Sequence, residues 1–375
     1  MVDLKVSREE IDLIDSEIVK LFERRMEIAQ NVAEYKIENG MEVFDKKREE
    51  EKLKAIRNLA SNEFNQQGVE ELFIQIMSIS RKFQYGLVGK NQNDTSFFME
   101  EELIPTKNTK VVFFGIKGSY TEQAMEEYFG KEITSFNEES FKGVMEAIKN
   151  NKADFGVLPI ENTSTGGITD IYDLLVEYDN YIIGEHVVKI ENALLGLEGA
   201  SIDQLKKVYS HPQPLLQGAK FLEEHSHIEP VEYFSTAASA LKVLEDNDVT
   251  QGAIAGKKTA EYYGLKVLKD SVNHNSCNST RFIIITNKRI YLKRAKKVSI
   301  CFELPHASGT LYNMLSHFIY NNLTMTQIES RPIIGKNWEY RFFIDFEGNL
   351  DESGVKNALY GIRAEASNLK VLGNF

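Results

Sequence analysis

Apolar side chains in the first quarter of the chain recur every three or four positions. Ile11, Ile14, Ile18, Leu21, Ile28 and Val32 form one stripe, and that spacing follows the turn of an α-helix. Ser7 with Glu10 predicts a capping box at its start. Gly40 and the stretch SNEFNQQG mark turns. Between and after them a second helix is predicted over 46–59, with Leu53 and Ile56 inward. A third is predicted over 69–84, with Leu72, Ile76, Ile79 and Phe83 inward. No proline occurs before Pro105. Three helices with one long member close a poor core alone, so a helical homodimer is the expected way to cover the stripe.

The period then changes. Residues 86–108 mix polar, acidic and turn residues and read as a linker. From 109 to 288 short apolar runs (KVVFFG, FGVLPI, NYIIGEHVV, KKVYSH, GAIAG, RFIIITN) alternate with stretches of helical spacing. This predicts an α/β segment with largely parallel pairing, whose ligands sit at loops beyond strand ends. From 297 to 375 the order strand–helix–strand–strand–helix–strand is that of a ferredoxin-like α+β unit. The expected organisation is an all-α domain at 1–88, a linker at 89–108, an α/β domain at 109–288 and an α+β domain at 297–375.

Composition narrows the partners. A net charge of −12 disfavours nucleic acid and anionic membrane, which need a basic surface. It also requires that any anionic ligand be held by local cations. Two cysteines, Cys277 and Cys301, make no disulfide framework and no metal spacing, which points to a reducing cytoplasm. The charged N-terminus reads as no signal peptide, and no apolar run is long enough for a membrane span.

Against the apolar stripe, one seam position is Arg25. A guanidinium buried there costs several kcal/mol, on the order of a folding free energy, unless paired. Lys36 lies about 20° around the helix from it and about 16 Å along the axis. Asp45, Glu49 and Arg48 lie on or beside the inward face of the second helix, and Ser80 and Gln84 lie one turn apart on the third. These could be internal ion pairs, Arg25 with Glu49 and Lys36 with Asp45. They could also be a site for a dianion. With Arg8 added, the set resembles the active site of the all-helical chorismate mutases over residues 4–86. The resemblance implies an intertwined dimer in which Arg8 reaches the partner's site. It implies that Arg8, Arg25 and Arg48 hold two carboxylates, that Lys36 and Gln84 bond the ether oxygen, and that Glu49 and Asp45 hold the ring hydroxyl. Such a rearrangement needs positioning and charge stabilisation only, without nucleophile, metal or cofactor.

In the α/β segment, FFGIKGSYTEQA has GxxG rather than GxGxxG, which weakens a dinucleotide reading. Ser119 with Glu122 predicts a capping box. PIENTSTGGI and YSHPQP each place hydroxyls and backbone N–H groups at a strand end, and NSTRF carries the single arginine between Arg81 and Arg289. Together these pieces resemble prephenate dehydratase, with Ile116 where that family usually has proline. The resemblance implies two α/β lobes like those of bacterial solute-binding proteins, with the substrate between them. It makes Thr280 the key catalytic residue and Arg281 the holder of a substrate carboxylate. Ser119, Glu161, Asn162, Thr163, Ser210, His211 and Gln213 are candidates for the rest of the pocket.

The C-terminal unit carries IESRP, within which Glu329, Ser330, Arg331 and Pro332 match the effector motif of the amino-acid-binding ACT regulatory domains. ASGTL supplies Gly309 and Leu311 of the second motif but lacks its proline and alanine. By resemblance this unit pairs across a dimer and binds phenylalanine. The whole chain is thus expected to take chorismate to prephenate and on to phenylpyruvate under phenylalanine feedback, as a homodimer or homotetramer. Two other readings are a dehydratase whose helical arm only dimerises, and a non-catalytic two-lobed sensor of a small acid.

Overall fold

The computed structural model describes residues 3–89, 97–273 and 278–375. Cys277 and part of the predicted linker lie outside them. The chain forms two compact units: one joins the N-terminal helices to Ile300–Lys370, and the other holds Ser96–Ser299 with Val371–Phe375. The first and last segments read from the sequence therefore share one unit.

In the first unit, α1 runs Leu4–Glu38, α2 Lys46–Arg57 and α3 Glu63–Gly89. The α1 cap is Asp3, whose carboxylate accepts from Lys5 N at 2.9 Å. The predicted Ser7 box lies inside the helix, where the Ser7 hydroxyl donates back to Asp3 O. A short side chain that reaches the free N–H groups first starts the helix. The side of α1 most buried within the chain carries Ala29 and Ala33, with Arg25 and Lys36 partly buried beside them. It lies next to the Ile/Leu/Val stripe but is not that stripe, whose members remain 42–67% exposed in the single chain.

The second unit has two lobes. The first comprises β1 (Phe98–Glu100), β2 (Lys110–Phe114), α4 (Tyr120–Phe129), β3 (Thr134–Glu138), α5 (Phe141–Lys149), β4 (Phe155–Asn162), β5 (Gly166–Gly167), α6 (Thr169–Glu177) and β6 (Tyr181–Lys189). The chain crosses to β7 (Asn192–Gly196), β8 (Lys207–Ser210), α7 (Pro212–Gln217), α8 (Ala219–Glu224), β9 (Glu229–Glu232), α9 (Thr236–Asp246), β10 (Gln251–Gly256), α10 (Lys257–Tyr263) and β11 (Lys266–Lys269). It returns as β12 (Ser279–Thr286) and β13 (Ile290–Leu292). Strand order is β6-β12-β4-β2-β3 in the first lobe and β11-β7-β10-β8-β9 in the second. Pairing is parallel among β2, β3 and β4 and among β8, β9 and β10, as expected. It is antiparallel for β12 with both β4 and β6, and for β7 with both β10 and β11. The returning strand must run against its neighbours, which the sequence reading of a largely parallel sheet did not foresee. Val111, Phe113, Met125, Val157, Phe282 and Ile284 fill the core of the first lobe.

The chain continues with β14 (Lys297–Leu304), α11 (Thr310–Tyr320), β15 (Met325–Pro332), β16 (Tyr340–Glu347), α12 (Ser353–Glu365) and β17 (Ser367–Asn374), of which Ile300–Lys370 belong to the first unit. The order β15-β16-β14-β17 is the ferredoxin-like arrangement. Gly309 precedes α11 at φ 78°, a conformation glycine takes without strain. α3 packs against α1 and α2 and also against α11 and α12. This explains why the predicted inward face of α3 is incomplete. Leu72 is exposed, whereas Met77, Ser78, Ser80, Arg81, Lys82, Gln84 and Tyr85 are all buried. No helix of the described residues is long and apolar enough to cross a membrane.

Candidate functional site

Arg25, Lys36, Asp45, Arg48, Glu49, Ser80 and Gln84 line one cavity of about 250 Å³, together with Val43, Lys52, Met77 and Arg81. Five cations against two carboxylates give this hollow the excess positive charge that a dianion needs. Small residues at 29 and 33 sit on the buried side of α1 between Arg25 and Lys36. Arg25 Nη1 is buried with no hydrogen-bond partner. Burial pulls the Arg25 pKa down, against the pull of Glu49. Burial also lowers Lys36, against Asp45 and Glu49. The Lys36 ammonium donates to Val43 O at 2.6 Å and keeps two further protons for a ligand. Gln84 donates weakly to Ser80 Oγ at 3.4 Å, and its amide oxygen is buried without a partner.

The internal ion pairs considered from the sequence do not form. Glu49 is bonded by Arg81 Nη1, not Arg25, at 2.6 Å to Oε1. Asp45 caps α2 by accepting from Arg48 N at 3.0 Å. Arg81 was missed by sequence reasoning. Its signal was the Arg81–Lys82 pair, the charged residues of α3 beyond Glu71. Arg8 is exposed near the start of α1 and does not line this cavity.

In the second unit the ends of β4 and β12 meet. Thr280 lies opposite Asn162 and Arg281 opposite Glu161. Asn162 Nδ2 donates to Thr280 Oγ1 at 2.9 Å, to Asn278 Oδ1 at 2.9 Å and to Ser279 O at 3.1 Å. Ser164 Oγ donates to Asn278 Oδ1 at 3.2 Å. Thr163 Oγ1 accepts from Ser279 N at 2.9 Å. Asn278 Nδ2 donates across to Gln217 Oε1, at the end of α7 in the other lobe, at 3.0 Å, and Gln217 Nε2 is buried without a partner. Thr280, Asn162, Ser164, Asn278 and Gln217 thus form one polar cluster that bridges the lobes. Ser164, Asn278 and Gln217 were not among the predicted site residues. Gln217 lies four residues past Gln213, one helical turn on.

Other predicted residues have structural partners. Ser119 caps α4 through Glu122 N, but the Glu122 carboxylate takes Gly118 N at 2.6 Å rather than closing a box on Ser119. Ser210 is fully buried and donates to Ile254 O at 2.6 Å. His211 caps α7, its Nδ1 accepting from Gln213 N at 3.3 Å, and burial lowers its pKa.

Arg281 departs from the role its motif implied. Successive side chains of a strand point to opposite faces, so Thr280 with Asn162 occupies one face and Arg281 with Glu161 the other. Arg281 Nε donates to Glu161 Oε2 and Nη1 to Glu185 Oε2, both at 3.2 Å, and Glu185 is bonded in turn by Lys297 at 2.6 Å. Arg281→Ala leaves two half-buried carboxylates without this counter-ion. The expected result is a loss of about 1–3 kcal/mol in stability, read as a lower Tm, with an unchanged KM for added prephenate. A raised KM at unchanged Tm would return Arg281 to substrate binding.

Glu329, Ser330, Arg331 and Pro332 lie along β15, which pairs with β16 at the edge of the sheet formed by the described residues. Gly309 and Leu311 lie at the start of α11. A wider hollow of about 400 Å³ between α4 and α10 is lined by four lysines and four glutamates. Lys258 is paired there with Glu126 and Lys189 with Glu191, which leaves no excess charge for a dianion.

Comparison with known proteins bears on both sites. The family model for chorismate mutase type II matches residues 7–85, and that for prephenate dehydratase matches residues 111–290. The bifunctional chorismate mutase/prephenate dehydratase of Buchnera aphidicola subsp. Schizaphis graminum is 32% identical over 378 residues, 99% of this chain and 96% of that protein. That of Aquifex aeolicus is 31% identical, covering 100% of this chain and 98% of its own. The crystal structure of prephenate dehydratase from Arthrobacter aurescens in complex with L-Phe superposes with a TM-score of 0.66 at 29% identity, covering 71% of this chain and 89% of that one. With a cation-lined pocket in its helices and a polar cluster where β4 meets β12, the chain belongs to the bifunctional chorismate mutase/prephenate dehydratase family, converting chorismate to prephenate and prephenate to phenylpyruvate.

Proposed function

We propose that the 250 Å³ cavity among α1, α2 and α3 is the chorismate mutase site. The observation that carries this is the unpartnered Arg25 Nη1 beside Lys36, in a pocket with excess positive charge. Arg25 and Arg48 hold the substrate carboxylates. Lys36 and Gln84 stabilise negative charge on the ether oxygen as its C–O bond breaks. Asp45 and Glu49 orient the ring hydroxyl, and Ser80 holds Gln84. Arg8 completes the site of a second copy, and the exposed Ile11–Val32 stripe supports a homodimer in which two α1 helices bury each other.

The cluster around Thr280 is the prephenate dehydratase site. The reaction takes up one proton: the dianion loses neutral CO2 and a hydroxide that leaves as water. Thr280 Oγ1 accepts from Asn162, so its own hydroxyl proton can be directed to the departing oxygen and replaced from solvent. Asn278 and Gln217 contact the substrate from either lobe, and Ser119, Thr163, His211 and Gln213 line the approach. Glu161 and Arg281 fix the strand ends from the far face.

The C-terminal βαββαβ unit acts as an ACT regulatory domain that binds phenylalanine through Gly309, Leu311 and Glu329–Pro332 at a pairing of two copies. Support comes from the exposed edge strand β15 and from the L-Phe complex of the Arthrobacter enzyme. The functional domains follow the boundaries 1–88, 109–288 and 297–375, in a cytoplasmic enzyme. A time course with chorismate, quantifying prephenate and phenylpyruvate with and without phenylalanine, tests the whole reading. Phenylpyruvate formation that phenylalanine suppresses is the expected result. Turnover indifferent to phenylalanine would reduce the C-terminal unit to a dimerisation element.

A further inference from the structure

Arg81 differs from the other cations of the helical pocket: two carboxylates hold it, and they come from opposite ends of the chain. Its Nη1 donates to Glu49 on α2. Its Nε donates at 2.9 Å to Oε1 of Glu365, the last residue of α12. The guanidinium lies over the Phe44 ring, 4.9 Å from its centroid. Glu365 accepts in addition from the Tyr85 hydroxyl at 3.2 Å, and its Oε1 lies 3.4 Å from His317 Nε2 on α11. α12 can come this close because residue 361 is glycine; a Cβ there would collide with the His317 ring.

We propose that Glu365 is a positioning residue of the chorismate mutase pocket, acting through Arg81 to fix the Glu49 carboxylate. The proposal rests on the reading of this cavity as the mutase site. Glu49 stands within electrostatic reach of Arg25 and Lys36, both of which its charge favours in the ionised form. A Glu49 free to rotate would pair with one of them and neutralise a cation that the substrate needs. The planar fork of Arg81 prevents this by holding Glu49 in fixed geometry. Arg81 in turn needs an anchor, or it would swing with the carboxylate it holds. Glu365 supplies that anchor from outside the helical segment. Its carboxyl stays ionised because, although burial raises its pKa, His317 and Arg81 hold it at about 2. A residue in the C-terminal unit thereby sets the geometry of a site in the N-terminal helices.

The test uses the full chain. Chorismate consumption and conversion of added prephenate are measured for wild type, Glu365→Gln, Glu49→Gln and the double variant. Glu365→Gln is expected to lower mutase kcat/KM about tenfold, the size of one charge-assisted hydrogen bond, while prephenate turnover is retained. In the Glu49→Gln background the same change should have little further effect, because the group it positions is gone. Glu365→Asp should restore part of the loss. A Glu365→Gln enzyme with wild-type mutase kcat/KM overturns the proposal, as does a loss that multiplies in full with that of Glu49→Gln. Removing Glu365 takes from Arg81 one of its two carboxylates and from buried Lys82 its nearby anion, and a variant that unfolds for this reason shows both activities falling together. Arg81→Lys then decides, since it keeps the charge and removes the fork: selective mutase loss upholds the proposal and unchanged mutase activity overturns it. Arg25→Ala, assayed alongside, separates the two failures. Full mutase activity there overturns the site assignment and the proposal with it, whereas lost activity there with no effect at Glu365 overturns the coupling alone.

Discussion

Arg25→Ala should lower chorismate mutase kcat/KM by about a hundredfold or more, with prephenate turnover unchanged. The size follows from the geometry. Arg25 presents a buried Nη1 that no group of the chain satisfies, so the site carries an unpaired donor until an anion arrives. Removing it relieves the free enzyme of that burden and deprives the bound dianion of a counter-charge in a partly dry pocket. The effect is confined to one activity because Arg25 belongs to the helical segment and Thr280 to the second compact unit. A chorismate assay coupled to detection of prephenate reads the loss. Near-normal turnover would mean that the helical segment's pocket is not where chorismate reacts. Arg25→Lys keeps the charge but not the fork, and should recover only part of the activity.

Thr280→Ala is the counterpart in the other unit. Dehydratase kcat should fall about a hundredfold to a thousandfold, the range of positioned proton transfer, with mutase kinetics intact. Thr280 is buried and held by Asn162 at 2.9 Å. The alanine variant loses one hydroxyl and leaves Asn162 with its bonds to Asn278 and Ser279, so the fold should survive. Thr280→Ser keeps the hydroxyl and should stay close to wild type. Phenylpyruvate formation from added prephenate is the measurement. An alanine variant with near-normal kcat would remove Thr280 from the chemistry and move attention to Asn162, Asn278 and Gln217.

The sequence made the helical site almost fully legible, because helix spacing is local. Arg25, Lys36, Asp45, Glu49, Ser80 and Gln84 could be placed on faces by counting turns, and they do line one cavity. Counting failed for Arg81, since what surrounds α3 on its far side arrives from α11 and α12, more than two hundred residues later. In the dehydratase unit the motifs marked the strand ends where the cluster forms. They did not show that Arg281 faces away from Thr280. Two-residue alternation was available from the sequence, but which face carries the pocket is decided by the neighbouring strands. Nor could they show that Ser210 gives its hydroxyl to Ile254, or that Gln217 reaches Asn278 across the lobes.

By itself, then, the sequence determined the elements, their order, the net negative charge against which an anionic ligand needs local cations, and the positions where chemistry concentrates. These follow from short-range rules of period, capping and composition. Only the tertiary structure decided which side chains neutralise one another. Glu49 chose Arg81 over Arg25, Arg281 took Glu161 and Glu185, and Glu365 came to the edge of a site at the opposite end of the chain. Ion pairs depend on distance and burial in three dimensions. Contacts between residues far apart in the chain carry no periodic signature along it.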